Sequence, residues 1–306
     1  NKRYHTLTYY YKKKFNAKVC KISLNAGFTC PNIDGKVGYG GCIYCSKLGS
    51  GEFGGNPKES LLEQFEKGKK MMQQKWPNAK FIAYFQAHTN TYASIEKLKM
   101  CFEPFIEKDD CLGISIATRS DSITDECLDY LEDINKRTFL IVELGLQTIH
   151  EKTSKLINRC SSLESFDAMV NKLRQRNINV IVHIINGLPY ETEEMMIETV
   201  KHLNNLDING LKIHMLGILK NTPLEKYYER NKFKVLSKEE YVNIVVKQLE
   251  YLKPEIVIHR LTEDPDPKEI IEPTWLTKKF TVLNEIDKLM SKNNTYQGDK
   301  IGQLKR

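Results

Sequence analysis

"GFTCPNIDGKVGYGGCIYCSKLGSGEFGG", residues 27–55, decides how this chain is read. It carries Cys30, Cys42 and Cys45 in the spacing C-x11-C-x2-C. A Cys-x-x-Cys pair puts two thiolates on one tight loop, and the third arrives from a glycine-rich excursion. Gly35, Gly38, Gly40, Gly41, Gly49, Gly51, Gly54 and Gly55 crowd the segment with no apolar periodicity to bury it. Its backbone is therefore expected to wrap around a bound group. Three thiolates are one short of a closed tetrahedral site. If they hold a [4Fe–4S] cluster, one iron stays open for a substrate or cofactor. Zinc completed by a distant His or Asp is the other metal reading.

The 306 residues allow one large domain or two small ones. Hydrophobic content of 41% and charged content of 28% are ordinary for a globular protein. No run of apolar residues is long enough to span a bilayer. The opening "NKRYHTLTYYYKKKFNAK" has no apolar core of a secretory signal. The eight cysteines are not expected to form a disulfide framework. A cytoplasmic protein with reduced thiols is the expectation. The net charge of +7 is uneven: residues 1–33 hold seven cations and no acid, and residues 291–306 are net +3. Tyr4, Tyr9, Tyr10, Tyr11 and Phe15 interleave with the N-terminal cations. That mixture suits a polyanion bearing stackable bases, and equally a solvated arm with no specific role.

Short Ile- and Val-rich runs read as buried parallel strands at 19–24, 80–86, 111–117, 138–146, 178–185 and 210–216, with a last one at 255–260. Helical stretches fall between them, near 57–75, 94–107, 124–136, 150–176 and 191–206. Ser237 with Glu240 forms a capping-box signature opening a helix near 238–252, and a final helix is expected at 275–292. Six βα units in sequence predict an α/β fold, a partial (β/α)6 barrel or open parallel sheet. The catalytic face of such a fold lies at the C-terminal ends of its strands, where the Cys loop emerges. The expected organisation is a basic aromatic arm (1–17), a barrel domain (18–262) and a C-terminal extension (263–306). "EDPDPKEIIEP" marks the last boundary.

A three-Cys loop after strand one, followed by six βα units, resembles the radical S-adenosylmethionine (SAM) superfamily. The resemblance implies that Cys30, Cys42 and Cys45 ligate a [4Fe–4S] cluster and that SAM chelates the open iron. One electron then cleaves SAM to methionine and a 5′-deoxyadenosyl radical that abstracts hydrogen from the substrate. Tyr44 matches the aromatic residue found between the close cysteines. "VELGLQT" supplies Glu143 and Gln147, and "INRCSS" supplies Arg159, as SAM-binding candidates. An amide can bond a diol and a guanidinium fork a carboxylate. "IINGLPYET", with Gly187, and "HMLGILKNTPL", with Met215, resemble the segments that face adenine. In place of the family's Gly-Gly-Glu-type segment stands "QAHTNTY", where Gln86, Thr89 or Asn90 would bond the SAM amino group.

"KISLNAGFTCPN", "YFQAHTNTYA", "SIATRSD", "HRLTEDP" and "NTYQG" extend the likeness over nearly the whole chain. Together they are similar to the bacterial group related to the Elongator catalytic subunit, of the YhcC and MnmL type. This implies conversion of 5-carboxymethylaminomethyl-(2-thio)uridine at the tRNA wobble position to 5-aminomethyl-(2-thio)uridine. The implied partners are tRNA, an electron donor such as flavodoxin or ferredoxin, and a downstream tRNA methyltransferase. Because few residues follow the barrel here, Elongator's acetyltransferase domain is not expected. Lys12, Lys13 and Lys14 and the basic tail are expected to help dock the anticodon loop. The alternatives are a radical SAM enzyme for a small metabolite or another RNA base, and a non-catalytic iron–sulfur protein that binds RNA or senses redox state. His183 and His214 read as core histidines bonded to backbone. Cys20, Cys101, Cys111, Cys127 and Cys160 read as small buried hydrophobes.

Overall fold

A computed structural model describes residues 2–49 and 54–302. Gly51 of the glycine-rich loop and Lys305 and Arg306 of the basic tail lie outside the described residues. The strands are β1 (Val19–Leu24), β2 (Lys80–Phe85), β3 (Cys111–Thr118), β4 (Phe139–Gln147), β5 (Asn179–Asn186), β6 (Gly210–Met215), β7 (Ile218–Leu219), β8 (Val257–Arg260) and β9 (Ile270–Glu272). The helices are α1 (Leu7–Phe15), α2 (Leu61–Lys75), α3 (Ile95–Ile106), α4 (Asp125–Arg137), α5 (Glu151–Leu156), α6 (Leu163–Gln175), α7 (Glu193–Leu203), α8 (Pro223–Arg230), α9 (Lys238–Tyr251) and α10 (Lys279–Lys292). Seven strands form one parallel sheet in the order β1-β2-β3-β4-β5-β6-β8. The sheet curls into a half-barrel with helices packed outside, the α/β architecture expected.

Local chemistry accounts for most helix starts. Thr6, Ser60, Ser94, Thr124, Ser162, Thr192, Thr222 and Ser237 each accept a backbone N–H at the first turn of their helix. The box between Ser237 and Glu240 forms as expected. The helix expected over 150–176 is instead two, α5 and α6. Asn158 (φ 56°) and Cys160 (φ 59°) take left-handed backbone between them. This break delivers Asn158 and Arg159 to the Cys loop.

Both ends of the described chain pack back onto the barrel. The basic aromatic segment is an ordered helix, α1, and it closes the N-terminal end of the barrel. Tyr11 is buried with Val19 and Ile82, and Leu112 and Phe139 pack at their edge. All four lie at or near the starts of β1, β2, β3 and β4. Lys14 Nζ lies 5.1 Å over the Phe139 ring. The backbone of Ile258 donates to His5 O at 2.7 Å. Gln297, from "NTYQG", completes the closure. Its Oε1 accepts from His5 N (2.9 Å), and its Nε2 donates to Lys253 O (2.7 Å) and Ile256 O (2.8 Å). Lys12, Lys13 and Lys14 thus sit at the opposite end of the strands from the Cys loop, about 20 Å away for six extended residues. The segment after residue 262 also returns to the body. β9 pairs antiparallel with β7, and α10 packs on α9. Among the described residues, no helix is long and apolar enough to cross a membrane.

Tyr11→Ala removes the aromatic plug and should cost about 3–5 kcal/mol of stability. Urea denaturation of the variant checks this.

Candidate metal centre

The Cys loop leaves the C-terminal end of β1 and is pinned to the α5–α6 break. Asn158 Nδ2 donates to Tyr39 O (2.9 Å) and Gly41 O (2.7 Å), and Ile43 N donates to Ile157 O (3.1 Å). Asn32 Nδ2 bridges Asn158 O (2.9 Å) and Cys42 Sγ (3.4 Å). Thr89, beyond β2, gives its hydroxyl to Cys30 Sγ at 3.0 Å, and His88 Nδ1 lies 3.8 Å from that sulfur. Hydrogen bonding from Cys45, with the nearby Arg119 cation, Asn32 and Tyr44, outweighs burial and lowers the Cys42 thiol to about 6. It is a thiolate at neutral pH, the form that binds metal. Burial raises the Cys30 thiol despite the Thr89 bond.

Sequence reasoning named neither Asn32 nor Arg119 as a site residue. Arg119 follows β3 and holds Asp121 bidentately (2.9 and 2.6 Å), with its charge beside Cys42 and Cys30. The signal was present in "SIATRSD", a cation two residues before an acid at a strand end, but nothing local tied it to the cysteines.

The other candidates lie as follows. Tyr44 is half-buried, with its hydroxyl hydrogen-bonded to Cys42. Gln86 follows β2, and its N–H donates to Leu24 O at 3.3 Å. Asn90 is fully buried; its Nδ2 donates to Ala117 O (2.9 Å) and Ala87 O (3.1 Å), while its Oδ1 has no partner. Gln147 ends β4 at φ 68° with a buried Oε1 that also lacks one. Arg159 is buried and spends its guanidinium on the backbone oxygens of Leu146, Thr148 (2.9 Å) and Ser161 (2.9 Å), leaving Nε unpartnered. Gly187, after β5, has φ 84°, and a Cβ there would meet Met215 Cε at 3.0 Å. Gln86, Asn90, Gln147, Gly187 and Met215 end or follow strands on the side where the Cys loop leaves β1, Tyr44 lies in that loop, and Arg159 at the α5–α6 break.

Glu143 lies deeper, inside the barrel. Its Oε1 accepts from Lys21 and from Ser115 Oγ (2.8 Å). Its Oε2 accepts from Tyr84 Oη (2.9 Å), His183 Nε2 (2.7 Å) and Lys212 Nζ (2.5 Å). Burial acts to raise this carboxyl, but Lys21 and Lys212 prevail and hold it well below the usual range. Burial lowers His183 to about 4, with Lys212 assisting, so the ring is neutral. His183 Nδ1 lies 3.3 Å from His214 Nε2, and His214 Nδ1 bonds Glu263. Each imidazole therefore bonds an acid and lies against the other ring, and neither bonds the backbone. Of the remaining cysteines, Cys101, Cys111 and Cys127 are buried as expected, Cys20 is half-buried, and Cys160 is exposed beside the Cys loop. Its Sγ lies 2.8 Å from where a Gly38 Cβ would stand.

The donor set suits a sulfur-rich cluster. Three cysteines share one loop, one is acidified, and a cation offsets their charge. Above the Glu143 network, three buried polar atoms, on Asn90, Gln147 and Arg159, face no partner. Among the described residues, no three acid, His or Cys side chains are grouped to hold a single metal ion. A multi-iron cluster makes a different demand, one thiolate per iron.

Comparison with known proteins agrees. The profile described as "Radical SAM superfamily" matches residues 38–203, and "Radical_SAM C-terminal domain" matches 208–292. The chain is 49% identical to "Uncharacterized protein YtqA" of Bacillus subtilis (strain 168), over 99% of this chain and 94% of that one. It is 26% identical to the "tRNA uridine(34) acetyltransferase" of Methanocaldococcus infernus, over 45% of this chain and 26% of that protein. The structure of M. infernus Elp3 with an N-terminal deletion superposes with a TM-score of 0.69 at 17% identity, covering 92% of this chain and 64% of that one.

Glu143→Gln should cost about 3–5 kcal/mol by leaving Lys21 and Lys212 buried beside a neutral amide, and Glu143→Gln/Lys212→Met should regain part of it. Chemical denaturation of the two variants measures both effects. His183 also sets a pH dependence. Its folded value is lowered to about 4 against an unfolded value near 6.5, so the unfolded chain binds more protons between them. Its contribution is present above pH ~6.5 and is lost as pH falls, by about 2 kcal/mol at pH 5. The slope should flatten in His183→Gln when cluster-free protein is unfolded at pH 7 and pH 5.

Proposed function

Because the chain belongs to the radical SAM superfamily, in the group that includes YhcC and Elongator-like proteins, we propose that it modifies the wobble uridine of tRNA. The reading is conversion of 5-carboxymethylaminomethyl-uridine, or its 2-thio form, to 5-aminomethyl-uridine. The observation that carries it is the shared stretch with a protein named for acting on tRNA uridine 34. That likeness accompanies a three-cysteine loop at the open end of the barrel.

The superfamily uses a [4Fe–4S] cluster and SAM, which when bound supply a hydrogen-abstracting radical. Cys30, Cys42 and Cys45 would hold the cluster. Gln147, Asn90 and Arg159 offer SAM unpartnered polar atoms, Gly187 and Met215 a close backbone approach, and Tyr44 and Gln86 flanking contacts. Glu143 is engaged by five side chains and keeps the lumen below closed. The substrate carbon is therefore presented at the mouth. The overall chemistry balances as a two-electron oxidation. With the cluster and SAM in place, the carbon between amine and carboxylate would be oxidised by two electrons and its C–N bond hydrolysed. The products are the aminomethyl group, glyoxylate, methionine and 5′-deoxyadenosine, with one net proton released. The electron donor and the methyltransferase belong to the same proposal as the steps before and after.

Reconstituted protein with dithionite, SAM and tRNA bearing the carboxymethylaminomethyl group should yield 5-aminomethyl-uridine and 5′-deoxyadenosine together, and Cys42→Ala should yield neither. Nucleoside mass spectrometry reads the result. Deoxyadenosine without change in the tRNA would refute the substrate and direct attention to a metabolite.

A further inference from the structure

With Lys12, Lys13 and Lys14 at the closed end of the barrel, the mouth needs another surface for RNA. Tyr190, in the turn after β5, has φ 65°, a left-handed backbone that a bulky L-residue adopts only at a cost. The side chain held there is not buried in compensation, being 58% exposed. Its hydroxyl lies 3.2 Å from that of Tyr227 on α8, and its ring stands 6.3 Å from Phe233. Phe233 is buried and also meets Tyr227 (6.4 Å) and Tyr228 (5.1 Å). Lys232 Nζ sits 4.0 Å over the Tyr228 ring.

This aromatic group is rooted in the metal-binding loop. Leu224 N, at the start of α8, donates to Ile43 O at 2.8 Å, and Ile43 lies between Cys42 and Tyr44. Ile43, Tyr44, Tyr227 and Tyr228 pack on one apolar cluster with Leu224 and Phe233. The charge is complementary to a polyanion. Residues 220–234 hold five cations against two acids, and Lys226, Arg230 and Lys232 are exposed. One of the acids, Glu225, is turned back onto Asn221 N at 2.7 Å.

Resting on the tRNA reading above, we propose that Tyr190 and the Tyr227–Tyr228 face of α8 form a stacking platform for unpaired RNA bases beside the metal centre. Aromatic faces give base-stacking energy without sequence preference, and flanking cations track the phosphates. The strained backbone aims the Tyr190 ring outward, where a residue of ordinary φ would point it elsewhere.

The probes are a fluorescein-labelled anticodon stem–loop RNA and a blunt duplex of the same stem, titrated against the full-length protein. Tyr190→Gly and Tyr190→Ala should weaken stem–loop binding roughly 5- to 100-fold, Tyr190→Trp should retain it, and duplex binding should hardly change. Tyr190→Gly relieves the left-handed strain, so its Tm should match or exceed that of the parent, which separates lost stacking from lost folding. If Tyr190→Gly binds the stem–loop as tightly as the parent, the platform is refuted and the tRNA reading stands. If the parent binds neither RNA, both fall, and a protein-binding role for the aromatic face takes their place.

Discussion

One carboxylate organises this barrel. Glu143 on β4 receives Lys21 from β1, Tyr84 from β2, Ser115 from β3, His183 from β5 and Lys212 from β6. Five strands are thus tied to one point in a low-dielectric interior. Such a carboxylate would be costly unpaired, and so would each lysine. Partial assembly of the sheet leaves buried charge uncompensated, whereas the complete sheet satisfies both oxygens. The apolar faces of the strands supply the stabilising burial, with Val180, Val182 and Ile184 of β5 in the main core beneath the helices. The Glu143 network instead brings one inward-facing residue from each of β1, β2, β3, β5 and β6 to a single point.

The network also divides the molecule into two ends with different jobs. Below it, α1 and Gln297 close the strand starts with a buried tyrosine and backbone hydrogen bonds. Above it, the strand ends and the α5–α6 break carry a three-thiol loop, unpartnered polar atoms and the left-handed residues Gln147, Asn158, Cys160 and Tyr190. Backbone strain of this kind concentrates where geometry matters more than stability. Arg119 places a cation beside the sulfurs. The positive charge at the mouth comes from the loops and α8, not from the lysine-rich terminus.

Much of this was legible in the sequence. Parallel strands buried on both faces show as Ile- and Val-rich runs, and the seven barrel strands fall where those runs lie. The Ser237–Glu240 box and the Cys spacing are local signals with local causes. What escaped has non-local causes. The α5–α6 break depends on Asn158 bonding a loop that lies far away in sequence, while residues 150–176 alone have helical periodicity. The lysines of α1 advertised an interface, but Tyr11 among them decided the packing. Arg119 and Asn32 gained meaning only when folding carried them to the cysteines. Tyr190 stands in the sequence only as a letter of "IINGLPYET", because its left-handed backbone does not show there. Gln297 looked like a motif residue and proves to be a clamp.

The central claim is that the open end of this barrel assembles a site-differentiated cluster that SAM engages directly. Electron paramagnetic resonance of anaerobically reconstituted, reduced protein tests it, with iron analysis alongside. The account predicts a [4Fe–4S]+ signal whose shape changes when SAM is added. A correctly loaded cluster whose spectrum is indifferent to SAM, or a chain that takes up zinc in preference to iron, would contradict it.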